Sequence, residues 1–109
     1  MKYKKRRYIL IYHEIHDDNK ELEREIRNRV KDLFGAIGLQ SIDFMLVKME
    51  TNFFIIRCNN NHVDELLFTL SSMKFKEFTF LPIRVSGTIK KLKRVMSDFI
   101  QIQKSLNAR

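Results

Sequence analysis

Apolar positions along this chain fall into short alternating runs separated by helically spaced stripes. Arg7 to Ile15 alternates and is rich in Tyr and Ile, which predicts a strand. Ile9, Ile11 and Ile15 form one face; Tyr8, Leu10 and Tyr12 form the other. Because both faces are apolar, the strand belongs in the middle of a sheet. Asp17 and Asp18 punctuate the chain, and Asp18 with Glu21 resembles a capping box. Leu22, Ile26, Val30, Leu33, Phe34 and Ile37 then recur at helical spacing, with Glu21, Glu23, Arg24, Glu25, Arg27 and Lys31 opposite. Gly35 and Gly38 are expected to end this helix.

Ser41 to Glu50 predicts a second strand and Phe53 to Cys58 a third, joined by the tight polar turn Thr51-Asn52. The continuous apolar run in the third strand again suggests a central position. Asn59, Asn60 and Asn61 offer caps for a second helix, whose buried stripe is Val63, Leu66, Leu67, Leu70 and Met73. Lys74 to Glu77 reads as a polar link and Phe78 to Val85 as a fourth strand. Pro82 cannot donate to a ladder, so this strand belongs at an edge. A last helix, about residues 88–104, carries the stripe Ile89, Leu92, Met96, Phe99, Ile100 and Gln103.

The order βαββαβ plus a C-terminal helix is the split βαβ pattern of the ferredoxin-like fold. The expected class is therefore α+β, an RNA-recognition-motif-like sandwich. Right-handed crossovers give an antiparallel sheet of order 4-1-3-2. The whole span 1–109 reads as one domain, with residues 1–6 as a basic tail. In this topology strands one and four are antiparallel neighbours. The start of strand one, near Arg7, then lies beside the end of strand four, near Ser86.

That juxtaposition gives the charge distribution its meaning. The net charge is +8, but residues 1–7 carry +5, residues 82–109 carry +6, and residues 8–81 carry −3. The fold order brings both basic ends to one corner. There the turn Ser86-Gly87-Thr88 opens a helix carrying Lys90, Lys91, Lys93 and Arg94. Gly87 permits close backbone approach, and Ser86 or Thr88 can cap the helix. A helix start followed by four cations suits phosphate groups. Lys4, Lys5, Arg6, Arg7, Ser86, Gly87, Thr88, Lys90, Lys91, Lys93 and Arg94 are the candidate contacts to a polyanion, most often nucleic acid. Arg57 ends an apolar strand, where it either pairs with a buried acid or meets RNA.

Catalytic and metal-binding chemistry is not apparent. His13-x-x-His16 straddles a strand end, and one Cys elsewhere makes a poor zinc pattern. Cys58 sits in an apolar run and reads as a buried thiol. No Gly-rich nucleotide loop occurs, and no apolar run is long enough to span a bilayer. No signal-peptide core follows the basic start, which fits cytoplasmic residence. Tyr8 and Tyr12 on strand one and Phe53 and Phe54 on strand three invite comparison with base-stacking platforms. Strand three lacks the Lys/Arg-Gly-aromatic signature, and the last helix is placed to cover the open face. Backbone and shape contacts are therefore favoured over single-strand readout.

Several segments together resemble a known family. They are Arg7-Tyr8-Ile9-Leu10, Val30-Lys31-Asp32-Leu33-Phe34-Gly35-x-x-Gly38, Phe54-Ile55-Ile56-Arg57-Cys58 and Val85-Ser86-Gly87-Thr88-Ile89-Lys90. In this order and spacing the chain is similar to the archaeal ribonuclease P protein component 2 family, shared with eukaryotic ribonuclease P and MRP complexes. The resemblance implies a non-catalytic subunit that supports a catalytic RNA in removing the 5′ leader of precursor tRNA. It further implies that magnesium ions are used by the RNA, with no cofactor bound by the protein. The implied partners are ribonuclease P RNA, a TIM-barrel-like protein subunit and, indirectly, precursor tRNA, with no membrane. Arg57 and the Ser86–Lys90 turn carry over as matching positions. A general RNA-binding module and a small regulatory or oligomerisation domain are the alternatives.

Overall fold

The sheet is built around two strands whose centres water does not reach. In the computed structural model, which describes residues 5–13, 19–50, 52–75 and 78–107, β1 spans Arg6–Tyr12 and β3 spans Phe53–Asn59. Ile9, Leu10, Ile11, Phe54, Ile55 and Ile56 are fully buried. The two strands pair antiparallel from Arg6 opposite Asn59 to Tyr12 opposite Phe53. The second strand, β2, is Met45–Glu50 and pairs with β3. The other edge is β6, Leu81–Ser86, paired with β1. The sheet order β2-β3-β1-β6 is the expected 4-1-3-2, with β6 as the fourth strand of the main sheet. Pro82 lies on that edge strand, opposite Ile11 beside a bulge.

Each face of the sheet has its own core. Helix α1, Asn19–Ile42, and helix α2, Val63–Ser72, cover one face. There Leu22, Ile26, Val30, Leu66 and Leu70 pack on Ile9, Ile11, Phe54 and Ile56. The long helix α3, Ile89–Asn107, covers the other. Its Leu92 and Met96 close over Leu10, Phe53 and Ile55. Alternation along each strand feeds the two cores in turn.

Four boundaries differ from the sequence reading. The first helical run of α1 does end at Gly35 (φ 75°, ψ 178°), a conformation that only glycine adopts readily, but a second helical run follows it and reaches Ile42. Strand two consequently begins at Met45 instead of Ser41. The apolar stripe continues through Phe34, while Leu33 lies off it and Ile37, past the break, is 81% exposed. The expected polar link and fourth strand resolve into a hairpin, β4 (Lys74–Phe75) with β5 (Phe78–Thr79), followed by β6. Buried Phe80 separates them. The Asn run caps a 3-10 turn, Asn60–His62, before α2: the Asn59 side chain accepts from the Asn61 N–H at 2.9 Å. The Asp18 cap, Ile15 and Thr51 lie outside the described residues.

Candidate nucleic-acid interface

Three strand ends meet at one corner. Tyr8 lies opposite Ser86 in the β1–β6 ladder, so Arg7 comes alongside Gly87. A Cβ on Gly87 would stand 3.1 Å from Arg7 Nη1. Arg7 Nε also donates to Asn60 Oδ1 at 2.5 Å, beyond the end of β3. The Asn60 N–H donates to the Lys5 carbonyl at 2.9 Å, fixing the chain just before β1. Side chain and backbone thus tie the start of β1 to the turns after β3 and β6.

The Ser86 turn is ordered from within. Buried Ser86 uses its Oγ to accept from the Thr88 N–H at 3.2 Å. It shapes the approach to α3, which begins at Ile89, instead of capping the helix as one of the two expected candidates. Gly87 does not have a left-handed φ. Its value is lateral space, because the Arg7 guanidinium lies where a side chain would project.

The cations of α3 follow directly. Lys90, Lys91, Lys93 and Arg94 are exposed, while Leu92 and Met96 between and beyond them are buried. Burying one stripe of a helix leaves its remaining positions in water. Among the described residues none of these four cations is held in an ion pair. Their field is therefore available to an outside anion. Lys5 is exposed nearby; Arg6 makes a loose pair with Asp43 at 3.8 Å. Lys4 lies outside the described residues.

Arg57 sits apart from the turn. It stands opposite both Tyr8 and Met45, on the sheet face that α3 covers further along. Its Nη2 donates to Met45 Sδ at 3.4 Å. Its Nε is buried and has no acceptor among the described residues. Among the described residues no carboxylate pairs with it. Sequence reasoning misses Asn60 as the partner of Arg7 and Met45 as the neighbour of Arg57. The Asn run reads only as helix caps, and a second strand begun at Ser41 leaves the register with β3 undefined.

The remaining candidate chemistry is structural. Burial, with a smaller contribution from the Glu65 charge, pushes the Cys58 thiol up to about 11. Such a thiol is a poor nucleophile at neutral pH. His13 is buried against the rings of Phe54 and Phe80. His62 pairs with Glu65 at 2.6 Å. Among the described residues no three His, Cys, Asp or Glu side chains converge as metal ligands. Nor is any described helix long and apolar enough to cross a membrane. The aromatics of the sheet centre, Phe53 and Phe54, are buried, so they are core and not platforms.

Comparison with known proteins matches this arrangement to one family. The Rpp14/Pop5 family profile matches residues 7–97, from the Arg7 junction into the middle of α3. The chain belongs to the Rpp14/Pop5 family of ribonuclease P protein subunits. It is 33% identical over 97 residues to ribonuclease P protein component 2 of Pyrococcus furiosus, covering 83% of this chain and 81% of that one. It is 31% identical over 97 residues to the protein of the same name from Sulfurisphaera tokodaii, covering 84% and 78%. The fold is similar to a chain in the cryo-EM structure of yeast ribonuclease MRP, at a TM-score of 0.65. That similarity covers 96% of this chain and 98% of the other at 16% identity, so it speaks to the fold alone. Family membership and corner geometry therefore rest on separate observations.

Proposed function

We propose that this Rpp14/Pop5 chain is a non-catalytic subunit of ribonuclease P, and that it binds and supports the catalytic RNA during 5′ leader removal from precursor tRNA. The observation that carries the reading is the Arg7–Gly87 junction, which sets the start of β1 against the cationic first turns of α3. Four cations that make no ion pair among the described residues, beside an ordered turn, suit crowded phosphates. Their mechanism is electrostatic: they neutralise RNA backbone charge and so lower the cost of the compact RNA fold. In this scheme the RNA performs the hydrolysis using magnesium ions, and the protein supplies charge and shape. A TIM-barrel-like ribonuclease P subunit is the proposed protein partner. Precursor tRNA is reached indirectly through the assembly, in the cytoplasm.

Reconstitution tests the reading. The chain is mixed with ribonuclease P RNA and the TIM-barrel-like subunit, and 5′ cleavage of precursor tRNA is followed at limiting magnesium. Stimulation over RNA with the other subunit alone is the expected result. A folded chain that gives no stimulation overturns the reading; cleavage by the chain without RNA would make it a nuclease.

A further inference from the structure

One row of side chains crosses all four main strands at the margin of the α3-covered face. Met45 on β2 faces Arg57 on β3, Arg57 faces Tyr8 on β1, and Tyr8 faces Ser86 on β6. The next row inward includes Ile55 and Leu10, which α3 seals with Leu92 and Met96. The margin row lies at the end of that seal. Met45 is 49% exposed, and Arg57 and Tyr8 are half-buried.

Arg57 gives the row its chemistry. Its one described hydrogen-bond partner is the Met45 thioether, a weak acceptor. Its buried Nε lacks an acceptor among the described residues. A buried donor without an acceptor is costly in the free protein, and an incoming oxygen removes that cost. Beside it, Tyr8 supplies an aromatic ring, packed on the α3 core along one side. The row then ends at Ser86, where the Arg7–Gly87 junction and the α3 cations begin.

We infer that the row Met45–Arg57–Tyr8–Ser86 is a short track for single-stranded RNA, with a backbone phosphate on the Arg57 guanidinium and an unpaired base against the Tyr8 ring. This rests on the RNA-binding reading above and refines it by naming the class of RNA. Three strand spacings make the row about 14 Å long, room for a few nucleotides. Cation and aromatic side by side form the usual surface for an unpaired strand. A duplex offers this row only phosphates, because its bases are stacked and paired. The α3 cations, facing outward, accept phosphates of either form.

The test compares a short unstructured RNA with a fully paired RNA hairpin by fluorescence anisotropy at two salt concentrations. Tyr8→Leu keeps bulk in the core while removing the ring face, and Arg57→Gln removes the charge. Each is expected to weaken single-strand binding about tenfold, as loss of one stacked base does. For Tyr8→Leu hairpin binding should stay within about twofold with the salt slope unchanged, whereas Arg57→Gln, which also meets duplex phosphates, should cost the hairpin less than the single strand. Lys90→Ala/Lys91→Ala should instead weaken both RNAs. If folded Tyr8→Leu and Arg57→Gln bind the single strand as well as the parent, or lose both RNAs equally, the track is wrong while RNA binding stands. If the parent binds neither RNA, both readings fall. Should Arg57→Gln not fold, photocrosslinking of thiouridine-labelled single strands to the unaltered protein decides the matter. Adducts at Tyr8 support the track; adducts confined to α3 overturn it.

Discussion

The guanidinium of Arg7 occupies the space that a side chain on Gly87 would need, with Nη1 3.1 Å from the Cβ position. Gly87→Ala is therefore accommodated by displacing a flexible side chain, not backbone. Unfolding free energy is expected to change by under about 1 kcal/mol, as for changes away from a packed core. RNA affinity should fall only as far as the shifted guanidinium weakens the Arg7–Asn60 hydrogen bond. Denaturant melts paired with binding isotherms check this; a large stability loss would mean that Gly87 serves the turn itself.

Lys90→Ala/Lys91→Ala removes two of the four exposed cations of α3 without touching its buried stripe. Binding to ribonuclease P RNA is expected to weaken. The slope of log affinity against log salt should shrink by about one for each phosphate that the variant no longer neutralises. A salt titration of the folded double variant measures it, and an unchanged slope rules out phosphate binding at those lysines.

Leu92→Ala opens a cavity under α3, where Leu92 is fully buried against Leu10, Phe53 and Ile55. The expected cost is about 2–5 kcal/mol. Chemical denaturation gives the number. Hydrogen exchange should report earlier opening of α3 than of α1, since only the second core is weakened.

Cys58 makes stability depend on pH in a specific window. Its thiol titrates at about 11 in the folded chain against 9.0 when exposed, through burial first and Glu65 second. Below pH 9 both states hold the proton and stability is unaffected. Between about 9 and 11 the unfolded chain loses its proton first, so folded stability declines, by at most about 3 kcal/mol. Comparing Cys58→Ala with the parent across that window isolates the effect, because Lys and Tyr titrate in both. Thiol alkylation at pH 8 should likewise be slow until the chain unfolds.

Gly35→Ala places a Cβ at φ 75°, ψ 178°, where open space surrounds it but the backbone conformation itself is unfavourable. A loss of about 1–3 kcal/mol is expected, with RNA affinity unchanged. Thermal melts and the same binding assay separate the two outcomes.

The sheet order was legible because two independent constraints agreed. Apolar runs on both faces marked β1 and β3 as central, and Pro82 marked an edge. Topology then placed Arg7 beside Ser86, and the α3 cations were plain in the sequence. What escaped were features set by local backbone choice. Gly35 breaks the helix as expected, yet a second helical run follows it to Ile42 where a strand from Ser41 was expected. The Lys74–Thr79 hairpin is too short to show an alternating pattern. Asn60 and Met45 have their roles through register, and a strand start placed at Ser41 instead of Met45 conceals which side chains face one another.

Helix α3 carries both the exposed cations and, in Leu92 and Met96, the lid of the second core. Crowded like charges repel, so in the free protein the lysines and Arg94 work against the closure that the apolar stripe favours. Ions in solution relax that repulsion, yet they also compete for RNA phosphates. Added salt should thus make the isolated chain harder to melt while loosening its hold on RNA, two opposite responses issuing from one helix.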